Sequence, residues 1–344
     1  MTETLKKGTR VTGADRTKLA ADLKKRYNAG ESIRSLAGST GRSYGFVHRI
    51  LTETGVSLRG RGGRRPSFLP AAPVSPVRRV HPERAVTVTS AELAASGLRL
   101  DIAGAVATIT LSRPERRNAM TPRVWRGLAG IGADLPSEVR VVVVRGAGPS
   151  FCSGIDLRMF SGEGVPGEDP PPSAADPGFE SWVAGCQEGY LWLRHPGIVS
   201  IAAVHGHAIG AGFQLALACD LRILADDAKL CMKEPALGLV PDLTGTKPLV
   251  DIVGLPRAIE LCLTARTLSA AEAGTLRLAE LLVPAAELDG AVADLTAALL
   301  EVDAETARAT KRLLLQAGAN TLEQQAAAER AAQAALLRAR SARS

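Results

Sequence analysis

The sequence predicts an α/β body preceded by a small all-α domain. From residue 97 onward, apolar and β-branched runs alternate with helical stretches, a pattern typical of an α/β fold. Residues 15–53 instead show three short apolar stripes at helical spacing. Between these regions, residues 66–77 (PSFLPAAPVSPV) contain four prolines and no acidic residue, which predicts a stiff linker.

The charge of the chain is divided unequally between these regions. Residues 1–85 carry 18 lysines and arginines against 6 acidic residues, a net charge of +12. The remaining residues carry 24 against 29, a net charge of −5. A basic domain beside a mildly acidic body indicates that the basic domain binds nucleic acid and the body does not.

The predicted all-α domain, residues 1–68, has the plan of a helix-turn-helix. Leu19, Leu23 and Tyr27 form the apolar stripe of a first helix that stops at Gly30. Ser43 is expected to cap the third helix. The apolar faces of the second and third helices are predicted from Ile33, Leu36, Ala37, Val47, Ile50 and Leu51.

The outer face of the third helix is polar and basic, and we expect it to enter the major groove of duplex DNA. The following RGRGGRRP arm, residues 59–66, resembles an AT-hook and suits a narrow minor groove. The domain also resembles small actinobacterial helix-turn-helix proteins. The alternative is a solvated three-helix domain whose charges only keep it soluble. The predicted DNA-binding residues are Arg42, Ser43, Tyr44, His48, Arg49, Arg59, Arg61 and Arg64.

The body begins with a predicted hairpin that turns at residues 103–104. The runs VRVVVVRGAG (139–148) and VSIAAVHG (199–206) predict strands buried on both faces. PRAIELCLTA (256–265) and EQQAAAERAAQAALLRARS (323–341) predict helices.

Two small, glycine-containing turns follow these strands, SFCSGIDL (150–157) and HAIGAGFQLALACD (207–220). Each leaves backbone N–H groups unshielded by side chains. Two such groups that converge on one point form an oxyanion hole, which stabilises negative charge on a carbonyl oxygen. The alternative for either turn alone is tight packing.

Several classes of protein are excluded by the composition. No run of 18 apolar residues and no secretory signal is present, which predicts a cytoplasmic protein that does not span a membrane. The five cysteines are scattered and lack a CxxC pair, so they are expected to be reduced thiols. His205 and His207 lack a third ligand, and we therefore expect no metal site.

Four segments of the body resemble, in order, the motifs of the crotonase (enoyl-CoA hydratase/isomerase) family. They are LSRPERRNAM (111–120), FCSGIDL (151–157), VHGHAIGAGFQLALACDLRIL (204–224) and KEPALGLVPDLTGT (233–246). The resemblance implies a ββα spiral core, an acyl-CoA thioester substrate with no additional cofactor, and a homotrimer or dimer of trimers. The expected organisation is a linker over 69–94, a crotonase-like domain over 95–290, and a helical region over 291–344 for CoA binding and trimerisation.

The resemblance also assigns candidate site residues. It places the oxyanion hole at the backbone amides of Ile155 and Ala211. Lys311 or Arg312 in the helical tail is the candidate for contact with the CoA phosphates. The other expected substrate- and CoA-binding residues are Arg117, Asn118, Ala119, Ser153, Gly154, Asp156, Gly210 and Gly212.

The predicted catalytic residues are Glu234, Asp242 and Gln214. Hydratases of the family normally carry a second glutamate at the position of Gln214, and an amide cannot act as a base. The spacing of Glu234 and Asp242 resembles the dienoyl-CoA isomerase branch, where two carboxylates move protons. Isomerisation is therefore favoured.

Four alternatives remain open for these residues. Gln214 orients water in a hydratase, or the body only senses acyl-CoA for a DNA-binding regulator. In another, Asp242 caps a helix that starts near Thr244. A surface role for Glu234 is less favoured, because the family places this residue beside the oxyanion turn.

Overall fold

The computed structural model describes residues 13–42, 44–54, 89–161 and 164–342. The chain divides into two compact units, residues 1–79 and 80–344. In the described ranges, no helix is both long enough and apolar enough to cross a membrane.

The described part of the first unit consists of three helices, as predicted. They are α1 (Gly13–Asn28), α2 (Ile33–Thr40) and α3 (Tyr44–Glu53). The hydroxyl of Ser32 caps α2 by accepting from the Ser35 amide, and Gly41 ends that helix at a φ of 63°. Ser43 and the basic arm lie outside the described residues. The buried core contains Leu23, Tyr27, Ile33, Leu36, Ala37, Val47, Ile50 and Leu51.

The second unit is built on a six-stranded sheet of order β1-β2-β3-β4-β6-β9. The predicted hairpin is present, because β1 and β2 pair antiparallel, and all other neighbours in this sheet are parallel. A smaller sheet has the order β5-β7-β8. The strands are β1 (Leu98–Ala103), β2 (Val106–Leu111), β3 (Val141–Gly146), β4 (Val199–Val204), β5 (His207–Ile209), β6 (Leu221–Ala225), β7 (Lys229–Cys231), β8 (Leu268–Ser269) and β9 (Leu281–Val283).

Ten helices accompany these strands in the described part of the second unit. They are α4 (Ser90–Ala95), α5 (Pro122–Asp134), α6 (Phe179–Leu191), α7 (Ala211–Ala218), α8 (Thr246–Val253), α9 (Leu255–Thr264), α10 (Ala270–Thr275), α11 (Leu288–Glu301), α12 (Ala304–Ala317) and α13 (Leu322–Ser341).

The large sheet is buried on both faces, as its valine run predicts. In β3, Val142 and Val144 belong to the main core, whereas Val141 and Val143 pack with residues of α11 on the other face. Successive side chains of a strand point to opposite faces, so a strand covered on both sides is apolar throughout.

Helix α4 begins within the segment predicted as linker and ends at Ala95. The Thr89 hydroxyl and the Glu92 carboxylate form a capping box at its start. Leu93 is buried in the main core of the second unit. The packed body therefore includes residues before 95. The rest of the predicted linker, up to residue 88, lies outside the described residues.

Candidate active site

The two predicted turns lie side by side. The amide of Cys152 donates to the carbonyl of His207 at 2.8 Å, and the amide of Ile209 donates back to the carbonyl of Cys152 at 2.9 Å. A third contact, from the Met120 amide to the Gly154 carbonyl at 2.7 Å, holds the first turn from its other side. These hydrogen bonds unite segments that are far apart in the sequence.

Glycine is required at both turns. Gly154 and Gly210 have φ angles of +100° and +50°, which favour glycine. A Cβ on Gly154 would lie 3.0 Å from the carbonyl oxygen of Ile209. A Cβ on Gly212 would lie 2.5 Å from the carbonyl oxygen of Cys152. The close approach of the turns is therefore the reason for the small residues.

The amides of Ile155 and Ala211 are available donors. Within the described residues, neither N–H donates a hydrogen bond to a protein acceptor. Ala211 is the first residue of α7, so its amide has no acceptor within that helix. The N-terminus of a helix also carries partial positive charge, which favours an anion at this point. The two groups predicted to form the oxyanion hole are thus free to bind a carbonyl oxygen.

Glu234 lies directly beside the second turn. Its side chain is so near that a Cβ on Gly210 would be 2.9 Å from the Glu234 Oε1 atom. The residue begins a short 3-10 turn, Glu234–Leu237, and is only 6% exposed. The surface alternative for Glu234 is therefore excluded.

The two carboxylate oxygens of Glu234 have different surroundings. Oε1 accepts a hydrogen bond from Gln214 Nε2 at 2.7 Å. Oε2 is buried and has no hydrogen-bond partner in the described part of the chain. Burial raises the pKa of Glu234 above its usual range, and the charge of Asp242 adds to this effect. One carboxylate oxygen is thus held by Gln214, and the other has no hydrogen-bond partner in the described residues.

Gln214 is fully buried, and its amide is engaged at both ends. While Nε2 binds Glu234, Oε1 accepts hydrogen bonds from the amides of Leu243 at 2.9 Å and Gly245 at 3.1 Å. Two accepted bonds use both lone pairs of the amide oxygen. Gln214 therefore joins Glu234 to the loop that follows Asp242.

Asp242 lies near Glu234 but at the exposed edge of the site. The surrounding protein raises the pKa of its carboxyl by desolvation. Helix α8 begins at Thr246, and its N-cap residue, Gly245, makes no side-chain capping bond. The structure therefore does not show the predicted capping role. Gln187 donates to the backbone carbonyl of Asp242 at 2.6 Å and holds this loop against α6.

Several predicted CoA-binding residues border the first turn but are used within the fold. The buried side chain of Asn118 donates to the carbonyls of Ala147 and Ser150, both at 2.8 Å. The Ser153 amide donates to the carbonyl of Arg117 at 2.9 Å, and the Arg117 side chain is exposed. Of this group, Arg117 is exposed and Ser153 is half-buried, whereas Gly154 is buried.

Asp156 is also committed to the fold. Its buried carboxylate pairs with Arg158 at 2.7 Å and with Arg113 at 3.1 Å. The hydrogen bonds from Arg158 are the main reason that the pKa of Asp156 is held well below its usual range. Arg113 further donates to the carbonyl of Ala119 at 2.5 Å and so connects the segment around Ala119 to the first turn.

Sequence reasoning missed Arg113 and Tyr190. The Tyr190 hydroxyl donates to the carbonyl of Ala211 at 3.1 Å and is 3.3 Å from Trp125 Nε1. This contact supports the peptide that precedes Gly212. Neither residue stands in a pattern that indicates its partner, because the contacts join positions 21 to 65 residues apart.

Lys311 binds within its own chain. Its ammonium donates to the carbonyls of His195 at 3.0 Å and Ile198 at 2.6 Å, and to Asp220 Oδ2 at 2.6 Å. An ammonium has three donors, and all three are engaged. Burial lowers the pKa of Lys311, and the pair with Asp220 opposes this effect. This arrangement argues against Lys311 as a ligand of CoA phosphates.

We expect Lys311→Met to destabilise the protein by about 3 kcal/mol, because removal of one partner leaves a largely buried carboxylate unpaired. The Lys311 and Asp220 side chains are 12% and 16% exposed. Urea unfolding measures the effect. Lys247→Met is the matched control, since its partner Asp251 forms an exposed pair worth at most about 1 kcal/mol. Equal losses in the two variants, or a large rise in the KM for acyl-CoA in Lys311→Met, would contradict this assignment.

The α/β fold places two amides without a protein acceptor, in the described residues, beside a buried carboxylate, an arrangement with the donors of an oxyanion hole and a titratable group next to them. Residues 101–343 match the enoyl-CoA hydratase/isomerase family, and residues 5–65 match a helix-turn-helix domain. The chain belongs to the enoyl-CoA hydratase/isomerase family, and the resemblance predicted from its four motifs is confirmed.

Similar proteins include both reaction types of the family. A solved structure from Thermobifida fusca YX, named a "putative enoyl-CoA hydratase" and in complex with acetoacetyl-CoA, is 65% identical over 72% of this chain and 98% of its own, with a TM-score of 0.71. The peroxisomal Delta(3,5)-Delta(2,4)-dienoyl-CoA isomerase of Arabidopsis thaliana is 31% identical over 66% of this chain and 83% of its own. The "Probable enoyl-CoA hydratase" of Mycobacterium bovis is 29% identical over 64% and 81%.

Proposed function

We propose that the body shifts a carbon–carbon double bond in an enoyl- or dienoyl-CoA thioester, with Glu234 as the group that moves the proton. The observation that carries this proposal is the Glu234 carboxylate, whose Oε2 is buried without a hydrogen-bond partner in the described residues. A raised pKa brings such a carboxyl closer to the pH at which it both accepts and returns a proton.

The oxyanion turn supplies the other half of the reaction. Removal of a proton from carbon conjugated with the thioester places negative charge on the thioester oxygen. The amides of Ile155 and Ala211 bind this oxygen, and the proton passes to Glu234. Return of a proton to a different carbon, from Glu234 or Asp242, restores a neutral thioester with a displaced double bond.

The contacts of Gln214 favour isomerisation over hydration. Addition of water requires a group that takes a proton from the water molecule. Gln214 cannot take this proton, and its oxygen already accepts from the Leu243 and Gly245 amides. The hydratase alternative therefore depends on Glu234 and Asp242 alone. Retention of a buried Glu234 beside free amides likewise favours an enzyme over a body that only senses acyl-CoA.

CoA thioesters as substrates are supported by the comparisons. The Thermobifida fusca protein has been solved with acetoacetyl-CoA and with CoA. The dienoyl-CoA isomerases of Arabidopsis thaliana and Mus musculus are also similar to this chain. We propose the same ligand class here, with the CoA moiety passing along the exposed Arg117 and the backbone of Ser153 and Gly154.

A panel of enoyl- and dienoyl-CoA thioesters tests the proposed reaction. Purified full-length protein is incubated with each thioester, and double-bond position and water addition are followed separately by absorbance and mass. Conversion of positional isomers without water addition supports the proposal. Water addition as the faster reaction would establish the hydratase alternative, and no turnover of any thioester would favour the sensor.

We also propose a homotrimer or dimer of trimers, as the crotonase resemblance implies. Helix α9 supports association, because Leu255, Ile259 and Leu263 form an exposed apolar stripe at four-residue spacing. The molar mass of the full chain in solution distinguishes a trimer or hexamer from a monomer.

We further propose that the N-terminal unit binds duplex DNA. The match of residues 5–65 to a helix-turn-helix domain and the exposed His48, Arg49 and Thr52 on α3 support this function. The alternative, a solvated domain without DNA affinity, predicts no binding at physiological salt. If phosphate contacts dominate, the logarithm of the affinity falls linearly with the logarithm of the salt concentration.

We expect Arg49→Ala to reduce preference among DNA sequences by about 10-fold, because loss of a base contact typically relaxes specificity by this order. Sequences enriched by the full chain from a random duplex library are titrated against unenriched duplexes. Arg61→Ala in the arm should instead weaken binding to all sequences, most of all A·T-rich ones. Arg330 is exposed on α13, and Arg330→Ala is the control. It should alter neither the preference among sequences nor the overall affinity for DNA. Unchanged preference in Arg49→Ala would refute the assignment of α3 as the reading helix.

A further inference from the structure

Gln214 connects the two carboxylates of the site. Its Nε2 holds Glu234 Oε1 at 2.7 Å, and its Oε1 holds the amides of Leu243 and Gly245, which flank Thr244 just after Asp242. We propose that Gln214 is a positioning residue that fixes the Glu234 carboxylate and anchors the loop carrying Asp242. This inference rests on the proposed role of Glu234 in proton transfer.

The geometry demands a side chain with both a donor and acceptors. Gln214 is fully buried, and the loop packs directly on it, since a Cβ on Gly245 would lie 2.6 Å from Gln214 Cγ. An amide offers a donor to the carboxylate and an acceptor to the two backbone amides at the same time. A carboxylate offers only acceptors when ionised, and an apolar side chain of similar size offers neither.

The contact also determines which oxygen of Glu234 reacts. Because Oε1 is held by Gln214, Oε2 is the carboxylate oxygen that has no hydrogen-bond partner in the described residues, and we assign the proton transfer to it. A hydrogen bond to an ionised carboxylate favours the charged form. The hydrogen bond from Gln214 therefore lowers the pKa of Glu234, whereas burial raises it.

Among the described residues, four other titratable groups interact with Glu234. They are Asp242 on the loop, Tyr190 on α6, Cys231 on β7 and Cys262 on α9. Burial raises the pKa of the tyrosine phenol and of both thiols, so these three groups are neutral near pH 7. Asp242 is the group whose negative charge opposes ionisation of Glu234.

Two substitutions separate the two contacts. Gln214→Glu keeps acceptors for the loop but removes the donor to Glu234, whereas Gln214→Met removes both. In the full-length protein, the carboxyl carbon of Glu234 is titrated by NMR and identified by its loss in Glu234→Gln. In Gln214→Met, we expect the pKa of Glu234 to rise by about 1–2 pH units. In Gln214→Glu, the two carboxyls titrate as a pair, and we expect the upper apparent pKa of this pair to lie higher than the wild-type pKa of Glu234 by the same amount. The acid limb of the kcat/KM profile should move upward with it.

Hydrogen exchange reports the second contact. The Leu243 and Gly245 amides should stay protected in Gln214→Glu and exchange at least about 10-fold faster in Gln214→Met. Gln325→Glu is the matched control, because this amide donates to the carbonyl of Leu313 on α12 and lies outside the site. An unchanged Glu234 titration in both Gln214 variants, or equal loop protection in both, would overturn the inference.

The NMR titration of Glu234 and the hydrogen exchange of the loop amides are independent of the reaction. If the wild-type protein moves no double bond but the titration and exchange change as expected, the proposed function fails and the positioning role stands. If isomerisation occurs and neither readout changes, the positioning role fails alone.

Discussion

Glu234→Gln should lower kcat by about 10²–10⁴-fold, the usual contribution of a positioned acid–base group. The carboxamide has nearly the same shape, and its oxygen can still accept the hydrogen bond from Gln214 Nε2. It cannot take a proton from the substrate at Oε2. The affinity for a CoA thioester should change little, since the oxyanion amides and the CoA contacts do not involve this side chain.

Steady-state kinetics with an isomerisable thioester, together with direct binding of a CoA ester, measures these two quantities. Glu138→Gln is the control, because Glu138 is an exposed carboxylate in the connection before β3. It should retain full activity. A Glu234→Gln enzyme with close to the wild-type rate would show that another group moves the proton.

Gly210→Ala should lower kcat by about 10²–10³-fold, the typical cost of losing one oxyanion donor. The new methyl group would lie 2.9 Å from Glu234 Oε1, so the carboxylate or the turn must move. The φ of Gly210, +50°, is also unfavourable for alanine. Because the next amide belongs to Ala211, the same movement displaces the donor at the start of α7.

Gly104→Ala is the control that separates the effect of backbone strain from the effect of displacing the site. Gly104 lies in the β1–β2 turn at a φ of +56°, and in the described part of the chain no heavy atom beyond its two chain neighbours lies within 4 Å of the position that a Cβ would take. This control should lose about 1 kcal/mol of stability but retain activity. The comparison is made by thermal unfolding and by kcat of both variants. Equal kcat values would mean that Gly210 serves the fold alone.

The elements of the fold were predictable because their signals are local. The valine run of β3 predicts a strand covered on both faces, and the apolar stripe through Leu23 and Tyr27 predicts α1. The small residues at Gly154 and Gly210 likewise indicate turns with exposed amides. The approach of these turns to each other followed from the family resemblance, since hydrogen bonds such as Ile209 to Cys152 are tertiary contacts.

Partners of polar side chains were not predictable in the same way. Asn118, Asp156 and Lys311 are polar residues near the expected site, and each fits a ligand-binding role by type and position. The structure commits them to backbone carbonyls and ion pairs of their own chain. Residue type shows which bonds a side chain can make, but only the packing of distant segments shows which ones it makes.

The same limit applies to Gln214. Its amide indicated that no base stands at this position, but its twofold role depends on the approach of Glu234 and of residues 243–245. The partners lie 20 to 31 residues further along the chain. No local pattern in the sequence marks that spacing.

The mass of the product from a dienoyl-CoA thioester tests the central claim most directly. The substrate is incubated with full-length protein in two separate reactions, one in water enriched in oxygen-18 and one in deuterated water. The mass of the product is measured for each reaction. We expect a product with a displaced double bond, with unchanged mass and no oxygen-18 when it forms in water enriched in oxygen-18, and with a mass raised only by exchanged deuterium when it forms in deuterated water. A product that contains oxygen-18 and has gained the mass of one water molecule would contradict this expectation.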